Sequence, residues 1–189
     1  MQKKHFITIA GKPGSGKSTA SKAVATELGY QHFSSGDLFR AIGKERGINV
    51  LEANLSGEQG ADIDHLVDQR LRDIGSTEDS IVIDSRTAWH WVPSSFKVYL
   101  DLDLITAAER ILLSTSAERL EVEHIPADPK EYAEQLQQRL ESEARRYQKF
   151  YNINPYDTSN YDLVVDTRAN NSQQVIALII DSYRDWLNT

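Results

Sequence analysis

Eight consecutive residues, Gly11, Lys12, Pro13, Gly14, Ser15, Gly16, Lys17 and Ser18, fit the pattern G-x-x-x-x-G-K-[S/T] in full, and Thr19 follows them. The pattern has a mechanism. Glycines let the backbone turn tightly and aim successive N–H groups at a phosphate chain, while the N-terminus of a following helix adds positive potential. The lysine reaches the outer phosphates of a nucleoside triphosphate, and the serine hydroxyl can ligate Mg2+. An ordinary glycine-rich turn needs neither Lys then Ser after its last glycine nor a strand before it and a helix behind it. Asp84 closes a second apolar run, Ile81-Val82-Ile83. A carboxylate at a strand end is commonplace as a cap. Beside a phosphate cradle the stronger reading is a ligand for Mg2+ or its water, shared with Ser18.

A cradle for a triphosphate does not say what receives the phosphoryl group, so the other candidates are groups that can seat a second anion. Ser35, Asp37 and Arg40 follow a short strand. Ser35 or Asp37 can cap the next helix, and Arg40 by itself reads as a solvated helix residue. Arg86 lies two residues past Asp84, at the C-terminal edge of a sheet, where open α/β sheets bind ligands. Arg139, Glu143 and Arg146 are spaced i, i+4, i+7 and share one helical stripe next to the apolar face. Two readings stay open for that stripe. It is either a solvated salt-bridge ladder worth a few tenths of a kcal/mol or a pair of arginines converging on phosphate, with Glu143 orienting them or a sugar hydroxyl.

These residues need elements to hold them. Short apolar strands alternate with amphipathic helices: strands at His5–Ala10, Tyr30–Phe33, Ile81–Asp84, Phe96–Leu102 and Tyr161–Val165, and helices at Ser18–Leu28, Gly36–Gly47, Leu104–Leu113 and Gln174–Trp186. The C-terminal helix is expected to turn Val175, Ile176, Leu178, Ile179 and Tyr183 inward. Such alternation implies βαβ units and a mainly parallel sheet covered on both faces. Residues 48–79 form a helical insertion, and 114–130 a polar segment before a long helix. That helix starts at Asp128 as cap, with Pro129 in the first turn and Glu131 completing a capping box. It runs to about Phe150, with Ala133, Leu136, Leu140, Ala144 and Tyr147 facing the core.

Composition removes several classes of function. The chain has 189 residues, one domain's worth, and no cysteine, which excludes disulfides, thiolate nucleophiles and Cys-ligated metals. The 28 acidic residues outnumber 21 basic ones, so there is no broad basic surface for nucleic acid. The apolar runs are far shorter than the roughly 20 residues of a membrane helix, and the start MQKKHFITIAGK breaks off too soon for a signal peptide. A cytoplasmic protein with no membrane or nucleic-acid partner is expected. The five histidines show no metal-ligand spacing. Of Trp89 and Trp91, at least one is expected in the core.

The sequence resembles the cytidylate kinases, especially the archaeal type, among the P-loop nucleoside monophosphate kinases. The resemblance rests on ITIAGKPGSGKST, LGYQHFSSGDLFRAIGKERG, ADIDHLVDQR, VIDSR, VYLDLDLITAAERI and above all RLESEARRYQKFYNINPYDTSNYDLVVDT. It implies a three-layer α/β fold with a five-stranded parallel sheet in a single domain, residues 1–189. An insertion at about 36–79 would bind the monophosphate, and a lid would span about 114–130. It implies transfer of the ATP γ-phosphoryl group to CMP or dCMP with Mg2+, by a monomer. Lys17, Arg86, Arg139 and Arg146 would be catalytic. Arg110 and Arg119 would join residues 11–19 on ATP. Ser35, Asp37, Arg40, Asp64, Arg70, Arg86, Arg139, Glu143 and Arg146 would contact the acceptor. The chain departs from the family in two places: Ser114 stands where an arginine is usual, in a lid that is longer and acidic, and Ser85 where a glycine usually precedes the arginine. Other small-acceptor kinases of this fold (adenylate, shikimate, dephospho-coenzyme A) share the cradle and lid but not the arginine stripe. A regulator that holds nucleotide without transferring phosphate is the rival from another class.

Overall fold

The computed structural model describes residues 5–47, 57–116, 120 and 125–189. Strand β1, Phe6–Gly11, is buried at every position, as a central parallel strand with both faces covered must be. It lies between β3 (Ile81–Asp84) and β4 (Phe96–Asp101), with β2 (Gln31–Ser34) and β5 (Leu163–Asp166) outermost, in the order β2-β3-β1-β4-β5. Every pairing is parallel. The expected α/β class and the five-stranded parallel sheet are therefore what the chain forms.

Alternate residues of the sheet feed two cores. Ile7, Ile9, Val98 and Leu100 pack under helices α1 (Lys17–Leu28) and α7 (Ser172–Leu187). Phe6, Ile81 and Ile83 pack on the opposite face against α3 (Gly57–Thr77) and α4 (Ala88–Trp91). Helix α2 (Ser35–Glu45) adds Leu38, Phe39 and Ile42 to that second core. Helices α5 (Leu104–Ser114) and α6 (Pro129–Tyr151) form a third cluster around Leu102, Ala107, Tyr132 and Leu136.

Several boundaries move from their expected places, each for a local reason. β2 runs one residue later than expected because Ser34 pairs with Asp84 in register. β5 begins at Leu163, since Tyr161 closes a 3-10 turn at Thr158–Asn160 and donates its hydroxyl to the Pro155 carbonyl. The cap of α2 is Ser34, which accepts from the Asp37 N–H, rather than Ser35 or Asp37. Asp128 caps α6 through the N–H groups of Lys130 and Glu131, but among the described residues the return bond of a capping box forms only at α7, between Asn171 and Gln174. A good cap contributes about 1 kcal/mol. On α7 Leu178 is exposed and Ile180 is buried, because the inward stripe runs through Val175, Ile179 and Tyr183. On α6 the buried position is Glu143 and Ala144 is only half-buried. The four-residue helix α4 went unforeseen in the sequence. Trp89 at its centre is buried against Tyr147 and Ile153, as one tryptophan was expected to be.

Candidate active site

The loop between β1 and α1 is shaped by close backbone contacts. Gly14 has φ +71°, and a Cβ there would stand 2.9 Å from the Ala107 carbonyl oxygen, so this turn admits no side chain. Gly16 precedes α1 without a side-chain cap, which leaves first-turn N–H groups to an anion. Lys17 Nζ donates to the Lys12 carbonyl at 2.9 Å, and Lys12 is anchored to Asp101 at 2.7 Å. Burial, then the Arg86 charge, lowers Lys17 to about 8, with Asp84 and Glu143 opposing. Ammonium held in a pocket that disfavours its charge is ready for a strong anion.

Ser18 Oγ donates to Asp84 Oδ2 at 2.6 Å. Asp84 is buried at the end of β3, directly beside β1. A hydroxyl and a carboxylate oxygen this close suit a hard cation that takes few protein ligands and keeps water or phosphate for the rest. The residues thus fit Mg2+ by their donor chemistry.

Arg86 and the α6 stripe meet across the same opening. Glu143 stands between Arg86 Nε at 3.2 Å and Arg139 Nε at 3.0 Å, and takes a very short hydrogen bond from the Tyr156 hydroxyl. Only 6% of Glu143 is exposed, so the solvated-ladder reading of the stripe is excluded. Arg146 pairs with Asp64 of α3 at 3.7 Å. Lys17, Ser18, Arg86, Arg139, Arg146 and Asp64 all line one cavity. Glu143 lies behind the arginines, which it holds from the protein side. Burial alone would raise its carboxyl, but Arg86, Arg139 and Tyr156 together overcome that and hold it at about 2. In return Glu143 raises Arg86 well above its ordinary range. Burial lifts Asp64 to about 6 against the pull of Arg146.

The remaining expected contacts divide. Ser35 bonds the Asp84 carbonyl at 3.2 Å and lines the cavity with Arg40. Asp37 is tied to Arg40 at 2.5 Å, with both side chains largely exposed. Arg70 does not reach the cavity: it pairs with Glu78 at 2.7 Å near the far end of α3. Its register on α3 points it away from Asp64. Arg110 lines a second cavity, on the Gly14–Thr19 side of the loop, and bonds Thr167 through both Oγ1 and the carbonyl. Arg119 lies outside the described residues.

A model described as the cytidylate kinase-like family matches residues 6–169. The chain belongs to that family. It is 38% identical over 177 residues to a cytidylate kinase of Natronomonas pharaonis, covering 92% of this chain and 86% of that one. It is 36% identical to a cytidylate kinase of Haloarcula marismortui, covering 96% and 90%. Among solved structures it resembles a shikimate kinase from Bacteroides thetaiotaomicron, with TM-score 0.61, 16% identity and coverage of 97% of each chain. A protein from Eubacterium ventriosum described as uncharacterized gives TM-score 0.67 at 17% identity, covering 95% of this chain and 98% of that one. These structural likenesses speak to the fold alone.

Sequence reading missed two members of this cytidylate kinase-like site, Tyr156 and Asp68, and one contact of a residue it did place there, Lys12. Tyr156 lies beyond the end of α6, and nothing in its spacing announces that its hydroxyl returns to Glu143. Lys12 gave no signal of its tie to Asp101. Asp68, on the cavity wall, sits one turn past Asp64, a four-residue step that could have flagged it.

The Glu143 carboxyl has a consequence for stability. Its folded value, about 2, lies below its ordinary 4.5. The stabilisation is therefore complete above pH 4.5 and is lost as pH falls from 4.5 towards 2. The change is on the order of 3 kcal/mol by the usual 1.4 kcal/mol per unit. Urea melts across that range will show a steeper loss for the native chain than for Glu143→Gln, which is less stable at neutral pH. Parallel pH profiles would contradict the buried ion-pair assignment.

Proposed function

We propose that this protein is an ATP-dependent kinase that transfers the γ-phosphoryl group to the phosphate of CMP or dCMP. The observation that carries the reading is the shared cavity. The phosphate-loop lysine and the Ser18–Asp84 pair open onto the same space as three arginines from two distant segments. Family membership and the names of the relatives point the same way.

The acceptor oxygen is already an anion, so no strong base is required, and catalysis rests on positioning and charge. Lys17 and the N–H groups of the Gly11–Thr19 loop hold the donor phosphates. Arg110 faces the donor side. Arg86, Arg139 and Arg146 hold the acceptor phosphate and the charge that spreads over the transferring group, with Glu143, itself bonded by Tyr156, orienting Arg86 and Arg139, and Asp64 pairing with Arg146. Mg2+, when bound, neutralises donor-phosphate charge, and Ser18 and Asp84 are the residues that would hold it. Residues 36–79 are read as the acceptor-binding insertion, with Ser35, Arg40 and Asp64 at its mouth, and 114–130 as the lid that excludes water. All these groups come from one chain, so a monomer suffices, and ATP and a monophosphate as partners suit a cytoplasmic enzyme. Among the described residues no helix is long and apolar enough to cross a membrane.

With ATP, Mg2+ and each nucleoside monophosphate in turn, ADP will form fastest with CMP or dCMP. Equal ADP release with every acceptor, or with none added, would end this reading.

A further inference from the structure

The far wall of the acceptor cavity holds a buried acceptor atom with no work to do. Asp68 is 4% exposed and lines the cavity beside Asp64 and Val67, on the face of α3 that looks across to Arg146 and Tyr147. Its Oδ1 accepts from Trp91 Nε1 at 2.9 Å. The Tyr151 hydroxyl is a second donor towards the same carboxyl, while among the described residues Oδ2 is enclosed and has no hydrogen-bond partner of good geometry. Buried carboxylate oxygens are rarely left so, because each costs the desolvation of a charged acceptor. The same cavity carries an orphan donor, Arg146 Nε, buried and unbonded among the described residues. Phe39, Val67 and Tyr147 give the cavity flat and apolar surfaces between these polar atoms.

With Arg146 turned to the phosphate, the unbonded Asp68 oxygen in a cavity with apolar walls describes a donor on the ligand it lacks. Cytosine presents an N4 amino donor next to the N3 and O2 acceptors. Uracil presents O4 and N3–H, which reverses the first two. We propose that Asp68 is a specificity-determining residue, whose Oδ2 accepts from the exocyclic amino group of the acceptor base and turns away a base carrying a carbonyl at that position. The inference rests on the kinase reading above and says why that site takes cytosine over uracil. Burial raises the Asp68 carboxyl, with Tyr151 and Trp91 opposing the rise. Arg72 stacks on Trp91 at 4.0 Å from the ring centroid, which steadies the ring that donates to Oδ1, and Asp68 itself lines the cavity.

The test is Asp68→Asn, measured as kcat/KM for CMP and for UMP. The amide keeps an oxygen for Trp91 and places an NH2 where Oδ2 stood, so it suits O4 of uracil. The native protein will prefer CMP. In Asp68→Asn the CMP-to-UMP ratio will fall at least tenfold and near 100-fold, as expected when a buried polar group loses its match. A ratio that changes less than tenfold overturns the proposal. Two controls separate specificity from folding. Trp91→Phe removes the other partner of Asp68, and a purely structural role for the carboxyl predicts that it alters the ratio as Asp68→Asn does. Under the proposal it leaves the ratio in place. The monophosphate of the 2-pyrimidinone riboside, which lacks the amino group, will be a poor acceptor for the native protein and will lose nothing further in Asp68→Asn. If the native protein phosphorylates no monophosphate at all, the kinase reading fails. If it prefers CMP and Asp68→Asn keeps that preference, only the role of Asp68 fails.

Discussion

Lys17→Met will lower kcat by about 1,000-fold, the upper end for removing one preorganised charge contact, while leaving the fold intact. The side chain lies in the phosphate loop with its Nζ on the Lys12 carbonyl, and its burial is paid in a depressed affinity for protons. That arrangement costs the empty protein something and is recovered only when phosphate arrives. Between about 8 in the folded chain and the ordinary 10.5, the unfolded lysine holds a proton that the folded one does not. The lysine therefore destabilises the free protein below pH 8, and the penalty fades as pH rises to 10.5. A bound triphosphate restores the charge. Calorimetry of ATP binding near pH 9, in buffers of different ionisation enthalpy, will show proton uptake by the native protein and none by Lys17→Met. Unchanged turnover in the variant, or equal uptake in both, would place the donor phosphates elsewhere.

Arg86→Ala will damage both activity and stability. Activity will fall by about 100- to 1,000-fold, because the proposed mechanism puts this guanidinium where charge develops during transfer. Stability will fall because Glu143 keeps its burial and loses its strongest partner. Breaking a fully buried pair costs about 3–5 kcal/mol. The Arg86 side chain is 29% exposed, so about 2–3 kcal/mol is a fairer figure after solvent screening, or a midpoint lower by roughly 5–10 °C for a chain of this size. The two losses can be separated. Adding Glu143→Gln to Arg86→Ala removes the stranded charge, so the melting temperature will recover in part while turnover stays low. Recovery of both together would mean that Arg86 acts only through the fold.

These two residues also divide what could be read early from what could not. The surroundings of Lys17 are contiguous. A buried strand, three glycines, a lysine and a serine leave the backbone few ways to turn, and each local requirement is written beside the next. The alternation of short apolar strands with amphipathic helices fixed the layer architecture in the same way, since a strand buried on both faces and a helix with one apolar stripe have few partners. Boundaries and helix faces were less legible. Leu178 and Ala144 were expected inward, and Ile180 and Glu143 took those places, because neighbouring positions on a helix differ by only one step around its axis and the packed partner decides between them.

Arg86 belongs to the other kind. Its sequence neighbours mark the edge of a sheet, but they carry no record of Glu143, more than fifty positions away, or of Tyr156 beyond it. The i, i+4, i+7 spacing of α6 suited a surface ladder and a buried clamp equally well. Sequence alone therefore determined the phosphate cradle and the layers that carry it, because those depend on backbone freedom and on periodicity along one stretch of chain. Only the tertiary structure decided that three arginines face one cavity, that Glu143 is buried between two of them and that Asp68 lines the opposite wall. Each of those facts depends on which surfaces of separate elements are pressed together, and it is burial, not spacing, that makes a charge need its partner.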